Sequence, residues 1–251
     1  MPAIRTTPAV RWLLISGVAL FLLQLVGDSF FGTQILEWLG LVPALFFERH
    51  YYWQAVTYLF MHADLFHILF NLLILWMIGS ELEAQWGTRE FLKYYFTCGI
   101  SAGFFYLAVQ MFFRGTSVSM IPMVGSSGAI YGLLVAYGII YSERTMLFMM
   151  VFPMKAKHFV LILAAIEFIA TVFYTRAGIA NAAHLGGMFV GFGYLLLKAY
   201  MRIRSKQRKL GPGRRRTRRP SHLRLIVNNE LFKDFEDDDG DDTRDGKPTF
   251  H

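Results

Sequence analysis

Six apolar runs divide this 251-residue chain, and they constrain its fold more than any other feature. They cover about Trp12 to Phe31, Phe66 to Ala84, Phe91 to Phe113, Gly125 to Tyr141, His158 to Tyr174 and Asn181 to Met201. A run of about 20 apolar residues crosses a hydrocarbon core of about 30 Å as a helix. Lipid offers no hydrogen bonds to open backbone, so only helices or a closed barrel can span it, and runs this long read as helices. The expectation is an all-α membrane protein: a polytopic bundle of six transmembrane helices over residues 1–202, then a largely disordered tail over 203–251.

Composition fits that reading. Apolar residues make up 55% of the chain and charged residues only 17%, a balance unlike that of a water-soluble domain. Charge is also segregated, since Lys198 to Lys247 carries most of the Lys and Arg. The single cysteine, Cys98, lies in an apolar run, so no intrachain disulfide is possible and the residue reads as packing. Arg5 and Arg11 precede the first run, but no small-residue cleavage site closes it, so it reads as a transmembrane helix and not as a cleavable signal.

Between the first two helices, Gly32 to Leu65 is rich in Trp, Tyr and Phe, with Glu37, Glu48 and Arg49 among them. Such aromatics favour the headgroup level, which predicts a loop folded at the interface with short helices. Met146 to Met154, containing Pro153, is apolar but short; it can extend the fourth helix or form an interfacial turn. With six crossings, Arg5, Arg11, Arg89, Lys93, Arg144, Lys155, Lys157 and the tail share one side, while Arg49, Arg114 and Arg176 lie on the other. The positive-inside rule then makes both termini cytoplasmic, and helices two, four and six all run from outside to inside.

That common direction matters for a few polar residues. Ser127 is near the start of helix four, His184 near the start of helix six, and His67 and Asn71 near the start of helix two. All four lie within about the first two turns, so one shallow site on the outer side can hold them. Ionisable groups at membrane depth are costly and usually mark function. Peptide hydrolysis needs a nucleophile, a base and donors for an oxyanion. Ser127 and His184 can supply the first two; no Asp or Glu occurs near the His184 segment, so a Ser-His dyad is expected and not a triad. Gly125 and Gly128 permit unusual backbone and a close substrate approach. The first N–H groups of helix four, at its positive end, point to where an oxyanion would form. His67 and Asn71, four apart on one face, can add side-chain donors.

Each residue also has a plainer reading. Ser126 and Ser80 read as packing serines, His184 taken alone can be a histidine tucked between helices beside Gly187 and Gly191, and Asn71 alone can be an interhelical hydrogen bonder. The convergence of four polar groups at one depth favours chemistry. A zinc site on His62, His67 and His184 lacks a carboxylate or cysteine to complete it; no metal and no cofactor is expected.

Gly125-Ser126-Ser127-Gly128, Tyr131 one turn later, Ala183-His184-Leu185-Gly186-Gly187 with Gly191, and His67-Ile68-Leu69-Phe70-Asn71 together resemble the signatures of the rhomboid intramembrane serine proteases. The family pattern is G-x-S-G on helix four, A-H-x-x-G-x-x-x-G on helix six and H-x-x-x-N on helix two, and the resemblance covers about Trp12 to Met201. It implies that Ser127 is the nucleophile and His184 the general base, with His67, Asn71 and the backbone N–H of Ser127 as oxyanion hole. It also implies that Tyr131 packs on the catalytic imidazole, and that Asn181 and Glu83, the latter in the loop after helix two, are structural supports. A gate around helix five is implied as well. Several members carry Trp-Arg in the first loop where this chain has Trp53-Gln54, which weakens any expectation of a loop-anchoring arginine. Gly187 and Gly191, four apart, form a small-residue stripe that brings helix six against helix four.

Beyond Met201, Arg214, Arg215, Arg216, Arg218 and Arg219 form a juxtamembrane basic cluster suited to anionic lipid headgroups. No nucleic-acid partner is expected. Leu223 to Phe235 can form a short amphipathic helix, and the acidic run Asp237, Asp238, Asp239, Asp241 and Asp242 lacks calcium-loop spacing. The expected function is an intramembrane serine endopeptidase acting on transmembrane protein substrates, in a bacterial cytoplasmic membrane. The alternatives are a rhomboid-like pseudoenzyme that binds transmembrane clients without cleavage, and a small-solute transporter, for which no internal repeat is found.

Overall fold

A computed structural model describes residues 5–31, 34–114, 120–148, 152–173 and 178–209. The basic cluster and acidic run expected in the tail fall outside these residues.

Helix α1 (Pro8–Phe31) opens the bundle, with the short helices α2 (Gln34–Leu39), α3 (Pro43–Glu48) and α4 (Gln54–Thr57) after it. The second span is continuous over Leu65–Trp86. It comprises α5 (Leu65–Ile74), a π-helical stretch Leu75–Gly79 and α6 (Ser80–Trp86). Then come α7 (Thr88–Arg114), α8 (Ser127–Ile140), the strands β1 (Thr145–Phe148) and β2 (Phe152–Lys155), α9 (Ala156–Phe173) and α10 (Gly178–Lys209). Within the Met146 to Met154 segment the described residues form two antiparallel strands, with Met146 opposite Met154 and Leu147 opposite Pro153.

Five of these helical spans are long and apolar enough to cross a membrane. The sixth, α8, has 14 residues. At 1.5 Å per residue it measures about 21 Å, short of a hydrocarbon core of about 30 Å. Its C-terminal end, Tyr141 and Arg144, meets Gln85 and Glu81 at the end of the second span. The deficit therefore falls at the other end, where α8 begins with Ser127. Twelve of its residues are buried, which makes it the central helix. By contrast α9 buries only Ala156 and Glu167 and turns Leu161, Ile166, Phe168 and Ile169 outward. In lipid, that exposed apolar face is expected.

Helix α1 starts where a carboxylate waits for it. Pro8 stands at the first helical position, where a missing N–H does no harm. The next two N–H groups, of Ala9 and Val10, donate to Glu83 at 2.8 and 2.9 Å. The Thr88 hydroxyl donates at 2.6 Å, and the Thr7 hydroxyl donates too. Glu83 was expected in a loop; it lies instead inside α6 and is buried, because four donors from two chain segments satisfy its charge.

The first loop is folded, as its aromatics predict, and it holds the approach to α8. Gln54 is fully buried; it accepts the Val42 N–H at 3.1 Å and donates to the Glu37 carbonyl at 2.6 Å. Gln54 thus ties the loop without an arginine at this position. Leu41 and Met123 exchange backbone hydrogen bonds at 2.9 Å in both directions, and the Gly125 N–H donates to the Tyr58 carbonyl at 2.9 Å. These bonds fix the strand-like segment that leads into Ser127.

Candidate active site

Ser127 is the first residue of α8 and is buried. Its placement depends on Gly125, whose φ of 107° lies where only glycine is comfortable. A Cβ there would also stand 2.7 Å from the His67 ring and 3.5 Å from the Asn71 amide nitrogen, so these side chains are pressed against the turn. The N–H groups of the first turn of α8 have no acceptor within the helix, and the helix dipole is positive at this end.

His184 sits on α10, and its Nε2 is 2.8 Å from the Ser127 Oγ. Close helix approach permits this distance. A Cβ on Gly187 would come within 2.1 Å of the Gly128 carbonyl oxygen, and one on Gly191 within 3.2 Å of the Gly132 Cα. The stripe on α10 therefore meets the glycines of α8 backbone to backbone. Tyr131, one turn after Ser127, stacks on the His184 ring with centroids 4.4 Å apart and an interplanar angle of 16°.

On α5, Asp64 caps the helix by accepting the His67 N–H at 2.8 Å, which sets the position of the His67 side chain. The His67 Nδ1 accepts the Ala63 N–H at 3.4 Å, so the ring proton is on Nε2, the nitrogen beside Gly125. The Asn71 amide nitrogen is buried and makes no hydrogen bond among the described residues. Asn181 lies on the first turn of α10 and is half-buried. His62 lies beside His67, with ring centroids 5.3 Å apart, and its backbone is tied to Gln24 of α1.

One residue escaped the sequence reading. No carboxylate is close to His184 along the chain, but in space Glu167 of α9 brings Oε2 to 3.1 Å from the His184 Nδ1. Its other oxygen accepts the Tyr131 hydroxyl. The acid absent from the His184 segment is thus present in space, from another helix. A signal was available: Glu167 is the lone acid within the apolar run from His158 to Tyr174. A carboxylate at membrane depth usually has a task.

Fold and site define a polytopic, integral membrane protein with a serine and histidine in contact at the N-terminal end of its central helix. The chain belongs to the rhomboid family, since the Rhomboid domain model matches residues 49–201. It is similar to "Rhomboid protein 1, mitochondrial" of Saccharomyces cerevisiae, 27% identical over 68% of this chain and 50% of that protein. It is also similar to "Rhomboid protease GluP" of Bacillus subtilis, 29% identical over 68% of this chain and 31% of that protein. The chain thus spans half or less of the length of these curated relatives.

Proposed function

We propose that this protein is an intramembrane serine endopeptidase that cuts membrane proteins within or beside their transmembrane segments. The observation that carries the reading is the 2.8 Å contact between Ser127 Oγ and His184 Nε2. The relative named a rhomboid protease supports it.

In the proposed reaction, Nε2 of His184 takes the proton from Ser127 as Oγ bonds to the scissile carbonyl carbon. The carbonyl π pair moves to oxygen, and the resulting oxyanion is met by the Ser127 N–H, the His67 Nε2–H and the Asn71 amide. The tautomer of His67 and the unpartnered Asn71 donor support these two roles. Collapse breaks the C–N bond, and the leaving nitrogen receives the proton from His184. Water then attacks the acyl ester by the same route, with His184 again as base. Tyr131 holds the imidazole by stacking. Gly125, Gly128, Gly187 and Gly191 serve the close backbone approach, and Asn181 supports the start of α10.

Basic residues gather on the side of both termini, which puts the serine end of α8 on the outer side. Transmembrane proteins are the proposed substrates, and anionic lipids the partners of the basic tail. A bacterial cytoplasmic membrane is the proposed setting; the Bacillus subtilis relative supports it, while the yeast relative is named mitochondrial. Cleavage of a model transmembrane substrate in liposomes tests the activity. Wild type should cut, and Ser127→Ala and His184→Ala should not; no cleavage of any of several substrates would favour a client-binding pseudoenzyme.

A further inference from the structure

Glu167 is the one buried residue of α9 beyond its first position, on the helix that otherwise offers lipid an apolar face. Leaving a carboxylate there requires compensation. Two groups provide it, both from the site: the Tyr131 hydroxyl donates to Oε1, and His184 Nδ1 approaches Oε2 to 3.1 Å. The latter approach is an ion-pair distance without hydrogen-bond geometry, and neither atom has a hydrogen-bond partner among the described residues. Three helices therefore meet through one ring of contacts, with Tyr131 stacked on the imidazole and bonded to the acid that faces it.

We propose that Glu167 is a positioning residue for His184, making the site a Ser-His-Glu arrangement; this rests on the reading of Ser127 and His184 as nucleophile and base. By accepting from Nδ1–H, the carboxylate fixes the tautomer whose Nε2 lone pair faces Ser127 Oγ–H. It then stabilises the imidazolium formed when that proton moves. Glu167 gains and loses no proton itself. The groups facing His184 are Ser127 and Tyr131 from α8 and Glu167 from α9, with His67 of α5 within electrostatic reach. Because Glu167 rides on the least buried long helix, the position of α9 decides whether the base is held.

The test compares full-length wild type with Glu167→Gln and Glu167→Asp in liposomes, following kcat and KM of cleavage. Glutamine keeps a partner for Tyr131 but removes the charge. Its kcat should fall roughly 10- to 100-fold, less than for a full triad because stacking still orients the ring, with KM little changed. Aspartate, which keeps the charge, should recover part of the lost kcat. A glutamine variant with wild-type kcat, or with its loss confined to a rise in KM, overturns the proposal, as does an aspartate variant no faster than glutamine. Ser127→Ala separates the two levels: cleavage by that variant overturns the nucleophile reading, whereas an inactive Ser127→Ala beside a wild-type-like Glu167→Gln overturns only the role of Glu167.

Discussion

Gly187 of α10 rests on the backbone of Gly128 of α8, so closely that a Cβ on Gly187 would stand 2.1 Å from the Gly128 carbonyl oxygen. Backbone cannot yield as a side-chain tip can, so any larger residue must push the two helices apart. Gly128 adjoins Ser127 and Gly187 lies one turn past His184, so the push acts directly on the 2.8 Å contact. Gly187→Ala should therefore reduce cleavage about 100-fold or more, the effect of an ångström-scale misplacement of reacting groups. Liposome kinetics with a thermal melt in detergent checks this; wild-type kcat in a folded variant would contradict it.

Glu83 predicts a purely structural phenotype. Its carboxylate takes the Ala9 and Val10 N–H groups and the Thr88 hydroxyl, far from Ser127 along the second span. Glu83→Ala would leave buried donors at the start of α1 without an acceptor, costing on the order of 3 kcal/mol. Thermal unfolding in detergent should show the loss, with Glu83→Gln milder than alanine. Equal stability of alanine variant and wild type would remove the capping role.

His67 and Asn71 should matter more to turnover than to substrate binding, because oxyanion donors act mainly on the transition state. Removing either donor should lower kcat about 100- to 1000-fold, with KM changed far less. Kinetics of His67→Ala and Asn71→Ala at several substrate densities separate the two. A rise in KM alone would assign them to substrate contact.

Acid should loosen the ion pairs that tie Glu143 to Lys155 and Lys157. Lys155 and then Lys157 hold the Glu143 carboxyl down from 4.5 to about 2. A carboxylate depressed in the folded state stabilises it above the unfolded value and loses that effect as pH falls through the folded one. The contribution is thus full above about 4.5 and gone near 2. Glu143 is exposed, so the effect is small and screened by salt. At low ionic strength, wild type should melt above Glu143→Gln near pH 6, and the difference should close on acidification. A difference that is constant with pH would exclude the ion pairs as its source.

The bundle was legible because lipid makes apolar length nearly sufficient evidence for a helix, and the aromatic first loop announced its own folding. The sequence pattern around Ser127, His184, His67 and Asn71 was equally open, since each motif sits at the head of a like-directed helix. What stayed hidden depended on lateral packing. Glu167 belongs to a helix whose rotation about its own axis no linear pattern fixes, and it stands on a different apolar run from His184. Glu83 looked like a loop residue because charge commonly ends a span; its partners, Ala9 and Val10, lie 74 and 73 positions away. The shortness of α8 was masked by Gly125, which continues the apolar run without continuing the helix.

The central claim, that Ser127 attacks and His184 takes its proton, is tested most directly by a fluorophosphonate that phosphonylates activated serines. Mass mapping of the full-length protein in detergent should locate the adduct on Ser127 alone, and His184→Ala should slow labelling roughly 100-fold or more at equal protein. An adduct on another serine, or labelling at the wild-type rate without His184, would contradict the account.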